Sequence, residues 1–323
     1  MTSAARRQHK AGDPAAPTPT PTPEAIAATM PLRAAAFIVT IYGDVVAPRG
    51  GEAWIGAIIS VCASVGISET LVRTAVSRLM AAGQLEGRRA GRRSFYRLTA
   101  PALAEFDAAA RLIYGTAPEP GWRFLWLAGG EGAAAPETQM ARLERQGHAR
   151  LKPQLALGTD STPPPPGVLA FAARPEGDEA AQRAFAAAHF DLAPHAQAYA
   201  GFSDRFAPFT RPAACPDAGE EALALRLLLV HDFRRALLRD PRLPRAALPA
   251  DWPGHRAAQV FAQAYLALSP RAETHAATAF EGEKGPQHAD ADTIESRRKA
   301  LSLLAARDLS QSAEHHRLAQ EIR

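Results

Sequence analysis

Seven arginines lie close together in one short segment of this 323-residue chain. Only one acidic residue, Glu86, accompanies them between residues 73 and 97, so the segment carries a formal charge of +6. The other residues include 30 basic and 32 acidic side chains, and the net charge of the whole chain is only +4. A concentrated positive charge on a nearly neutral body is typical of a surface that contacts nucleic-acid phosphates, although a solvated charged face remains the alternative. The arginines are Arg73, Arg78, Arg88, Arg89, Arg92, Arg93 and Arg97.

The first two arginines fall on a predicted helix. Ser68 is a suitable N-cap residue, and Gly83 can adopt the left-handed conformation that ends a helix. Helical spacing predicts one apolar side, formed by Leu71, Val72, Ala75, Val76, Leu79 and Met80. The opposite side carries hydroxyl and guanidinium groups from Thr70, Arg73, Thr74, Ser77 and Arg78. Such donors on a helix surface reach base edges and phosphates in the major groove of DNA.

The other five arginines fall on a predicted hairpin. Strands over 85–89 and 92–98 flank the dipeptide Ala90-Gly91, whose glycine tolerates the positive φ of a tight turn. Around this turn lie Arg88, Arg89, Arg92 and Arg93, placed to follow a phosphate backbone or to enter a narrow minor groove. Helices are also predicted over 32–42 and 54–63. Three helices followed by a hairpin is the order of a winged helix-turn-helix, so we expect residues 31–116 to bind double-stranded DNA.

The rest of the chain predicts an α+β protein with two further domains. Strands at 122–128, 155–157 and 168–172 and helices at 138–146 and 179–189 suggest a ferredoxin-like middle domain over 117–200. A long helix over 219–239 and a last one from Asp251 to Leu268 predict a helical C-terminal domain over 201–280. Residues 1–30 are rich in Ala, Pro and Thr and predict a disordered tail. Residues 281–323 are expected to form a linker and a tail, with a weakly amphipathic helix marked by Ile294, Leu301, Leu304 and Leu309.

Composition excludes several other classes of protein. Hydrophobic residues make up 47 % of the chain and charged residues 22 %, which is a globular composition rather than a wholly disordered one. No apolar run approaches the roughly 18 residues of a membrane-spanning helix, and no apolar core follows the basic residues near the N-terminus. The two cysteines, Cys62 and Cys215, lie far apart and argue against a disulfide framework. We therefore expect a cytoplasmic protein without membrane contact.

Catalytic and metal-binding motifs are missing from the sequence. It contains no glycine-rich phosphate loop, no nucleophile elbow and no metal-spaced His/Cys cluster, so we expect no enzyme activity, no metal and no cofactor. A metal-dependent nuclease is disfavoured because no carboxylate follows the strand at 122–127 before Glu131. His231 and Asp232 are adjacent on a helix and point about 100° apart, so they are poorly placed for acid–base work. Two interpretations of this segment remain open. Asp232 forms an ion pair with Arg235, or Arg234 or Arg235 binds an anionic ligand.

Two groups of short motifs resemble one known family. The N-terminal group comprises Tyr42-Gly43-Asp44, Pro48-Arg49-Gly50-Gly51, Trp54 and Gly91-Arg92-Arg93-Ser94-Phe95-Tyr96-Arg97-Leu98. The C-terminal group comprises His231-Asp232-Phe233-Arg234-Arg235, Asp240-Pro241-Arg242-Leu243-Pro244, Leu248-Pro249 and Asp251-Trp252-Pro253-Gly254. Spread over about residues 32–275, these motifs resemble the PaaX family of bacterial repressors of phenylacetate catabolism.

The resemblance implies a homodimeric repressor that binds operator DNA through a winged helix. It also implies a ferredoxin-like middle domain similar to small CRISPR-associated nucleases, and release from DNA by an aryl-CoA effector such as phenylacetyl-CoA. The residues we expect to contact this effector are His231, Arg234, Arg235 and Trp252. Four aromatic residues could line a pocket for the acyl group, and the alternative is that they belong to the hydrophobic core. They are Trp122, Trp126, Phe233 and Trp252.

Three functional hypotheses remain at this point. The first is a ligand-responsive transcriptional repressor. The second is an enzyme or nuclease of acyl-CoA metabolism that carries an accessory winged helix. The third is a protein that binds nucleic acid without sequence preference.

Overall fold

The computed structural model describes residues 21–115, 120–129, 134–159, 163–282 and 285–306. It is a mixed α and β structure whose C-terminal region is helical. Within these residues no helix is both long enough and apolar enough to cross a membrane.

The arginine-rich segment belongs to a small unit of helices and one three-stranded sheet. Its elements are α2 (Ala34–Ile41), β1 (Glu52–Trp54), α3 (Ile55–Ala63), α4 (Glu69–Ala81), β2 (Leu85–Ala90) and β3 (Arg93–Leu98), preceded by the short helix α1 (Pro23–Ala27) and followed by α5 (Ala100–Ile113). The sheet has the antiparallel order β1-β3-β2. We call residues 34–98 the N-terminal unit. The helices predicted over 32–42 and 54–63 correspond to α2 and α3, whereas β1 was not predicted.

Two backbone irregularities follow α2. The helix widens into a π-helical turn over Tyr42–Val46 and then tightens into a 3-10 turn over Ala47–Arg49. Gly50 and Gly51, with φ of 87° and 77°, then reverse the chain into β1. Only glycine adopts such angles at little cost, which explains the adjacent pair in the sequence.

The apolar side of α4 is narrower than predicted. Val72, Ala75, Val76 and Leu79 are buried, but Leu71 and Met80 are 56 % and 41 % exposed. At 100° per residue the four buried side chains span about 100° of the helix, and the two exposed ones lie about 40° beyond its edges. The prediction of a six-residue apolar side was therefore wrong at both margins, because the neighbouring helices cover only the central stripe.

The middle of the chain forms a four-stranded antiparallel sheet with two helices. The elements are β4 (Trp122–Leu127), α6 (Pro136–Arg145), β5 (Ala149–Lys152), β6 (Leu155–Gly158), β7 (Val168–Ala173) and α7 (Glu179–His189), and the strand order is β5-β6-β4-β7. The short edge strand β5, which carries a bulge, was missed by the sequence prediction. Leu125 and Leu127 on one sheet face pack with Met140 and Leu143 of α6 in a small core of their own.

The C-terminal region is a set of packed helices and contains most of the large core. These are α8 (Ala193–Phe206), α9 (Gly219–Leu237) and α10 (Pro253–Ala279), with 3-10 turns over Ala207–Thr210, Pro212–Ala214 and Arg245–Ala247. Phe233 of α9 stacks on Phe261 of α10 with ring centroids 4.3 Å apart. The helix predicted from Asp251 to Leu268 corresponds to α10, which continues past Pro270 to Ala279. Ala272 and Ala276 in this continuation are fully buried.

Both tail predictions included segments that are ordered and packed. Ile26 of α1 and Met30 after it are buried, although disorder was predicted through residue 30; residues 1–20 lie outside the described residues. Downstream, β8 (Glu281–Gly282) and β9 (Gly285–Pro286) precede α11 (Ala291–Ala305), whose Leu301 is fully buried. Average composition did not reveal that Ile26 and Met30 are buried, whereas α11 with Leu301 corresponds to the predicted amphipathic helix. Leu309, which was predicted to lie on this helix, falls outside the described residues.

Candidate nucleic-acid interface and the contacts behind it

The outward side of α4 presents every polar residue that the sequence assigned to it. The hydroxyl of Ser68 accepts a hydrogen bond from the backbone N–H of Leu71 at 3.5 Å and caps the helix. Gly83 has a φ of 68° and ends it, as predicted. The exposed residues on this side are Thr70, Arg73, Thr74, Ser77 and Arg78.

Two of these side chains already have partners on α4. The Thr74 hydroxyl donates to the carbonyl of Thr70 at 2.8 Å, and Arg73 pairs with Glu69 at 2.7 Å. Both members of this ion pair are more than half exposed, where such a pair contributes about 0–1 kcal/mol. Arg78 has no ion-pair partner in the described part of the chain. Arg78 is therefore the cation on α4 that is most available to a ligand.

The hairpin follows directly and is held against the helix. The hydroxyl of Thr99, after β3, donates to the carbonyl of Gly83 at 2.7 Å, and the Tyr42 hydroxyl donates to the carbonyl of Tyr96 at 2.9 Å. Ala90 pairs with Arg93, so the two-residue turn is Gly91-Arg92, one residue later than predicted. Gly91 has a φ of 58°, the positive value expected of it.

The hairpin arginines divide into paired and unpaired side chains. Arg88 makes two hydrogen bonds to Glu52, at 2.7 and 2.6 Å, and lies over the Phe95 ring. Arg93 pairs with Glu281 at 3.2 Å and lies over the Trp54 ring, with 4.8 Å from its guanidinium carbon to the ring centroid. Arg97 pairs with Glu86 at 2.7 Å.

Arg89 and Arg92 complete the hairpin and are both exposed. Among the residues that the structure describes, neither has an ion-pair partner. The sequence treated the four arginines near the turn as equivalent, whereas the structure leaves these two without a competing carboxylate.

A buried carboxylate lies behind this surface, in the π-helical turn after α2. Asp44 accepts hydrogen bonds from the hydroxyls of Tyr114 and Tyr265, at 2.7 and 2.9 Å, and pairs with Arg226 at 3.0 Å. Burial alone would raise the pKa of Asp44, but the charges of Arg226 and Arg297 outweigh it and hold that pKa below its ordinary value. Asp44 is therefore an anion inside the protein.

The charges around Asp44 come from three C-terminal helices. Arg226 of α9 is fully buried and also donates to Glu273 of α10 at 2.6 Å, and Arg49 pairs with the same carboxylate. Arg297 of α11 donates to the carbonyls of Gly43 and Asp44, at 3.0 and 3.1 Å, and lies over the Tyr114 ring. We call Asp44, Arg49, Arg226, Glu273 and Arg297 the interdomain charge cluster. It joins the N-terminal unit to α9, α10 and α11.

Comparison with known proteins gives a relationship over most of the chain. The family model described as PaaX-like protein matches residues 33–102, and the one described as PaaX-like protein C-terminal domain matches 190–278. The chain is 33 % identical over 275 residues to "Transcriptional repressor PaaX" of Escherichia coli (strain K12), an alignment that covers 79 % of this chain and 85 % of that protein. The chain belongs to the PaaX-like protein family. A solved structure, "Uncharacterized protein Rv0674 from Mycobacterium tuberculosis", is 23 % identical and covers 67 % of this chain and 88 % of its own, with a TM-score of 0.43.

The two PaaX-like family matches meet in the interdomain charge cluster. Asp44 and Arg49 lie in the first matched segment, and Arg226 and Glu273 lie in the second. The motifs Tyr42-Gly43-Asp44 and Pro48-Arg49-Gly50-Gly51, which contributed to the resemblance, therefore lie where the N-terminal unit contacts α9, α10 and α11 and not on the arginine-rich surface. Sequence reasoning gave this cluster no role. One signal was present, because Arg226 interrupts the apolar run 223–230 and a buried arginine needs a buried anion.

The four residues proposed to contact an effector have different neighbours. His231 is buried; its Nδ1 lies 3.1 Å from the Thr40 hydroxyl, and burial lowers its pKa to about 4. Trp252 is buried edge-to-face against Tyr199, with centroids 6.0 Å apart. Arg235 donates to Asp232 at 2.8 Å, the ion pair that the sequence left as one of two readings.

Arg234 differs from the other three. It is half-buried, burial lowers its pKa, and it has no ion-pair partner within the described residues. It lines a narrow cleft between α2, α5 and α9, beside Thr40 and Tyr114, with a free volume of about 20 Å³. This volume holds about one water molecule.

The aromatic candidates for an acyl pocket are also dispersed. Phe233 is buried in its stack with Phe261, and Trp126 is 42 % exposed on the sheet. Trp122 is buried but lines a second cleft, under α7.

Cysteine chemistry and metal binding find no support among the described residues. Cys62 and Cys215 are both buried and unpaired with each other, and burial raises the pKa of Cys62 to about 12, so it is an inert thiol at neutral pH. Within the described part of the chain, no group of three or more His, Cys, Asp or Glu side chains could hold a metal ion. Glu131, which bore on the nuclease hypothesis, lies outside the described residues.

Proposed function

We propose that this chain is a DNA-binding transcriptional repressor. The observation that carries the proposal is the juxtaposition of the exposed polar side of α4 with a hairpin whose turn exposes Arg89 and Arg92. Similarity to a curated repressor over most of both chains supports the direction of regulation. An enzymatic alternative has no specific observation in its favour.

The N-terminal unit acts in this proposal as a winged helix-turn-helix. Helix α4 enters the major groove and reads base edges through Arg78 and Ser77, while Thr70, Arg73 and Thr74 contact the margins of the groove. Arg89 and Arg92 contact phosphates or the minor groove from the wing. Arg88 and Arg93 add to these contacts only when a phosphate replaces Glu52 or Glu281 as their partner.

Ferredoxin-like topology is our proposal for the middle domain, over 117–200. Support comes from the strand order β5-β6-β4-β7. If the four strands of this sheet are numbered 1 to 4 along the chain, the order counted from β7 is 4-1-3-2. A departure from the usual βαββαβ order is that α7 follows β7 instead of preceding it. The flanking domains are proposed over 31–116 and 201–280.

We further propose that the chain binds DNA as a homodimer through the open face of the middle sheet. Three large apolar side chains, Trp126, Leu169 and Phe171, are 42 %, 52 % and 51 % exposed there. Trp126 is opposite Leu169, and Phe124 is opposite Phe171, so they form a continuous patch that ends at the edge strand β7. A second copy fits because one recognition helix reads only a short half-site, and two such helices bind half-sites about 10 bp or a multiple apart.

The proposed effector is an aryl-CoA such as phenylacetyl-CoA, and the proposed target genes are those of aromatic-acid catabolism. Both are carried over as expectations from the family resemblance, and membership of the PaaX-like family supports the link to phenylacetate catabolism. Of the four residues expected to contact the effector, His231 and Trp252 are buried and Arg235 is paired with Asp232. The cleft beside Arg234 has a free volume of only about 20 Å³, so none of the four lies beside a space that could hold an acyl group.

Fluorescence anisotropy with the DNA upstream of the protein's own gene tests the proposal. The full chain should bind that DNA at least tenfold more tightly than a shuffled duplex of equal length at the same salt concentration. Phenylacetyl-CoA should weaken the specific complex, and free phenylacetate and CoA serve as controls. Equal affinity for both duplexes would contradict sequence-specific repression and favour non-specific binding.

A further inference from the structure

The cleft under α7 has space that the cleft beside Arg234 lacks. It lies between the middle sheet and α7 and has a volume of about 260 Å³. Its floor is formed by Trp122, Phe124 and Leu157 of the sheet, and Phe185 of α7 forms a wall. An apolar cavity of about 150 Å³ accommodates benzene, so this cleft has room for an aromatic ring and a substituent.

The aromatic lining fits a flat ring. The Trp122 and Phe185 rings meet edge-to-face, with centroids 5.7 Å apart and an interplanar angle of 70°. Phe185 is 38 % exposed and Trp122 is buried, so ring surface is left uncovered toward the cleft on the helix side. Aromatic rings favour edge-to-face and offset arrangements, which a third ring can join.

Polar groups stand at the rim and restrict the ligand further. Arg174 and Glu176 lie on the loop after β7, and Gln182 projects from α7. Arg174 is exposed and has no ion-pair partner among the described residues. A guanidinium beside an aromatic floor selects a ligand whose ring carries an acidic or polar acyl group at one end, whereas Glu176 disfavours anions on its own side.

We propose that the cleft under α7 is the small-molecule site of this protein and binds the aromatic acyl end of an acidic ligand. The ring lies against Trp122 and Phe185, and Arg174 contacts the acyl or acidic group. This inference rests on the proposed function for the role of the ligand as an effector. The binding site itself stands on the geometry of the cleft.

The middle sheet and α7 both contact the segment between α9 and α10. Its residue Ala186 is fully buried in the large core, and α7 packs on the turn Arg245–Ala247 that leads into α10. The hydroxyl of Thr159, after β6, donates to the carbonyl of Pro241 at 2.5 Å. Both contacts reach the segment between α9 and α10, the two helices that carry Arg226 and Glu273 of the interdomain charge cluster.

Calorimetric titration of the full chain with phenylacetyl-CoA, phenylacetate and CoA tests the site. We expect phenylacetyl-CoA or phenylacetate to bind the unaltered protein. Arg174→Gln should weaken that binding at least tenfold, and Ala181→Trp, which fills the cleft from α7, should abolish it. Arg183→Gln is the matched control, because Arg183 lies on α7 but pairs with Glu179 away from the cleft, and it should leave the affinity unchanged.

Circular dichroism and DNA affinity without ligand show whether each variant folds. Unchanged ligand affinity in both Arg174→Gln and Ala181→Trp would overturn the proposal, as would loss of binding in Arg234→Gln alone, which would place the site on α9. Failure of the unaltered protein to bind any of the three compounds would also overturn it. Binding that depends on Arg174 but leaves DNA affinity unchanged would support the site and contradict only the effector role.

Discussion

Replacing Asp44 with asparagine removes the only anion that faces both Arg226 and Arg297 within the described residues. Removing one member of a buried ion pair costs about 3–5 kcal/mol, because the remaining charge is left without compensation. Arg226 keeps Glu273 at 2.6 Å, and Arg297 keeps two backbone carbonyls. We therefore expect the lower end of this range, a loss of about 3 kcal/mol in the free energy of unfolding.

Urea denaturation followed by circular dichroism measures this loss. Glu281→Gln is the comparison, because it removes an exposed ion pair with Arg93 and should cost less than about 1 kcal/mol. Acid should reduce the difference between Asp44→Asn and the unaltered protein. The folded pKa of Asp44 is lowered, so its stabilisation is complete above the ordinary value of 3.8 and is lost as the pH falls below it.

An Asp44→Asn variant no less stable than Glu281→Gln would refute the reasoning. It would mean that water or relaxation compensates the charges of Arg226 and Arg297, and that the cluster does not hold the N-terminal unit against the C-terminal helices. A difference that stays constant below pH 3.8 would show that Asp44 is not ionised in the folded protein.

Three further predictions concern DNA binding, assembly and pH. Replacing both Arg89 and Arg92 with alanine should lower the magnitude of the slope of log affinity for DNA against log salt concentration by about 1.8, at about 0.9 per phosphate contact. Arg88→Ala should lower it by less than about 0.9, because Glu52 competes with phosphate for Arg88. Equal slopes for the two variants would contradict the difference between paired and unpaired arginines. The unaltered protein should have the mass of the proposed dimer in light scattering, and Trp126→Asp should have the mass of a monomer; equal masses would remove the open sheet face from the interface. His231 has a pKa lowered to about 4 from an ordinary 6.5, so the free energy of unfolding should fall as the pH drops through that interval, and His231→Gln should abolish this part of the pH dependence in denaturation measurements.

Local signals in the sequence were sufficient for the candidate DNA-binding surface. The cap at Ser68, the stop at Gly83 and the hydroxyl and guanidinium groups between them lie within one helix, where spacing alone determines which residues share a side. The same holds for the hairpin, in which Gly91 marks the turn. Such features need no knowledge of distant parts of the chain.

Long-range contacts could not be predicted in the same way. Arg88 and Arg93 pair with Glu52 and Glu281, which lie far away in sequence, whereas Arg89 and Arg92 have no ion-pair partner among the described residues. The strand β1 was missed, and its last residue, Trp54, was assigned to the following helix, because these three residues form a strand only through pairing with β3. Propensity over so short a segment is easily overridden by tertiary pairing.

Two arginines on α9 also differ in a way that the sequence could not predict. Arg234 and Arg235 are adjacent and chemically identical, and the sequence offered both as anion ligands. The second is taken by Asp232, while the first faces a cleft too small for more than a water molecule. Which arginine is free depends on packing between helices, and helical spacing does not encode it.

The contact between Arg297 and Asp44 joins positions 253 residues apart, and this has a consequence for protein synthesis. The N-terminal unit leaves the ribosome first, while the arginines that compensate Asp44 are still to be translated. Domains generally fold in order of emergence, but this one lacks its buried countercharges until α9 and finally α11 emerge. A nascent or truncated chain that ends before α11 would therefore lack the Arg297 contacts and hold the segment after α2 less firmly.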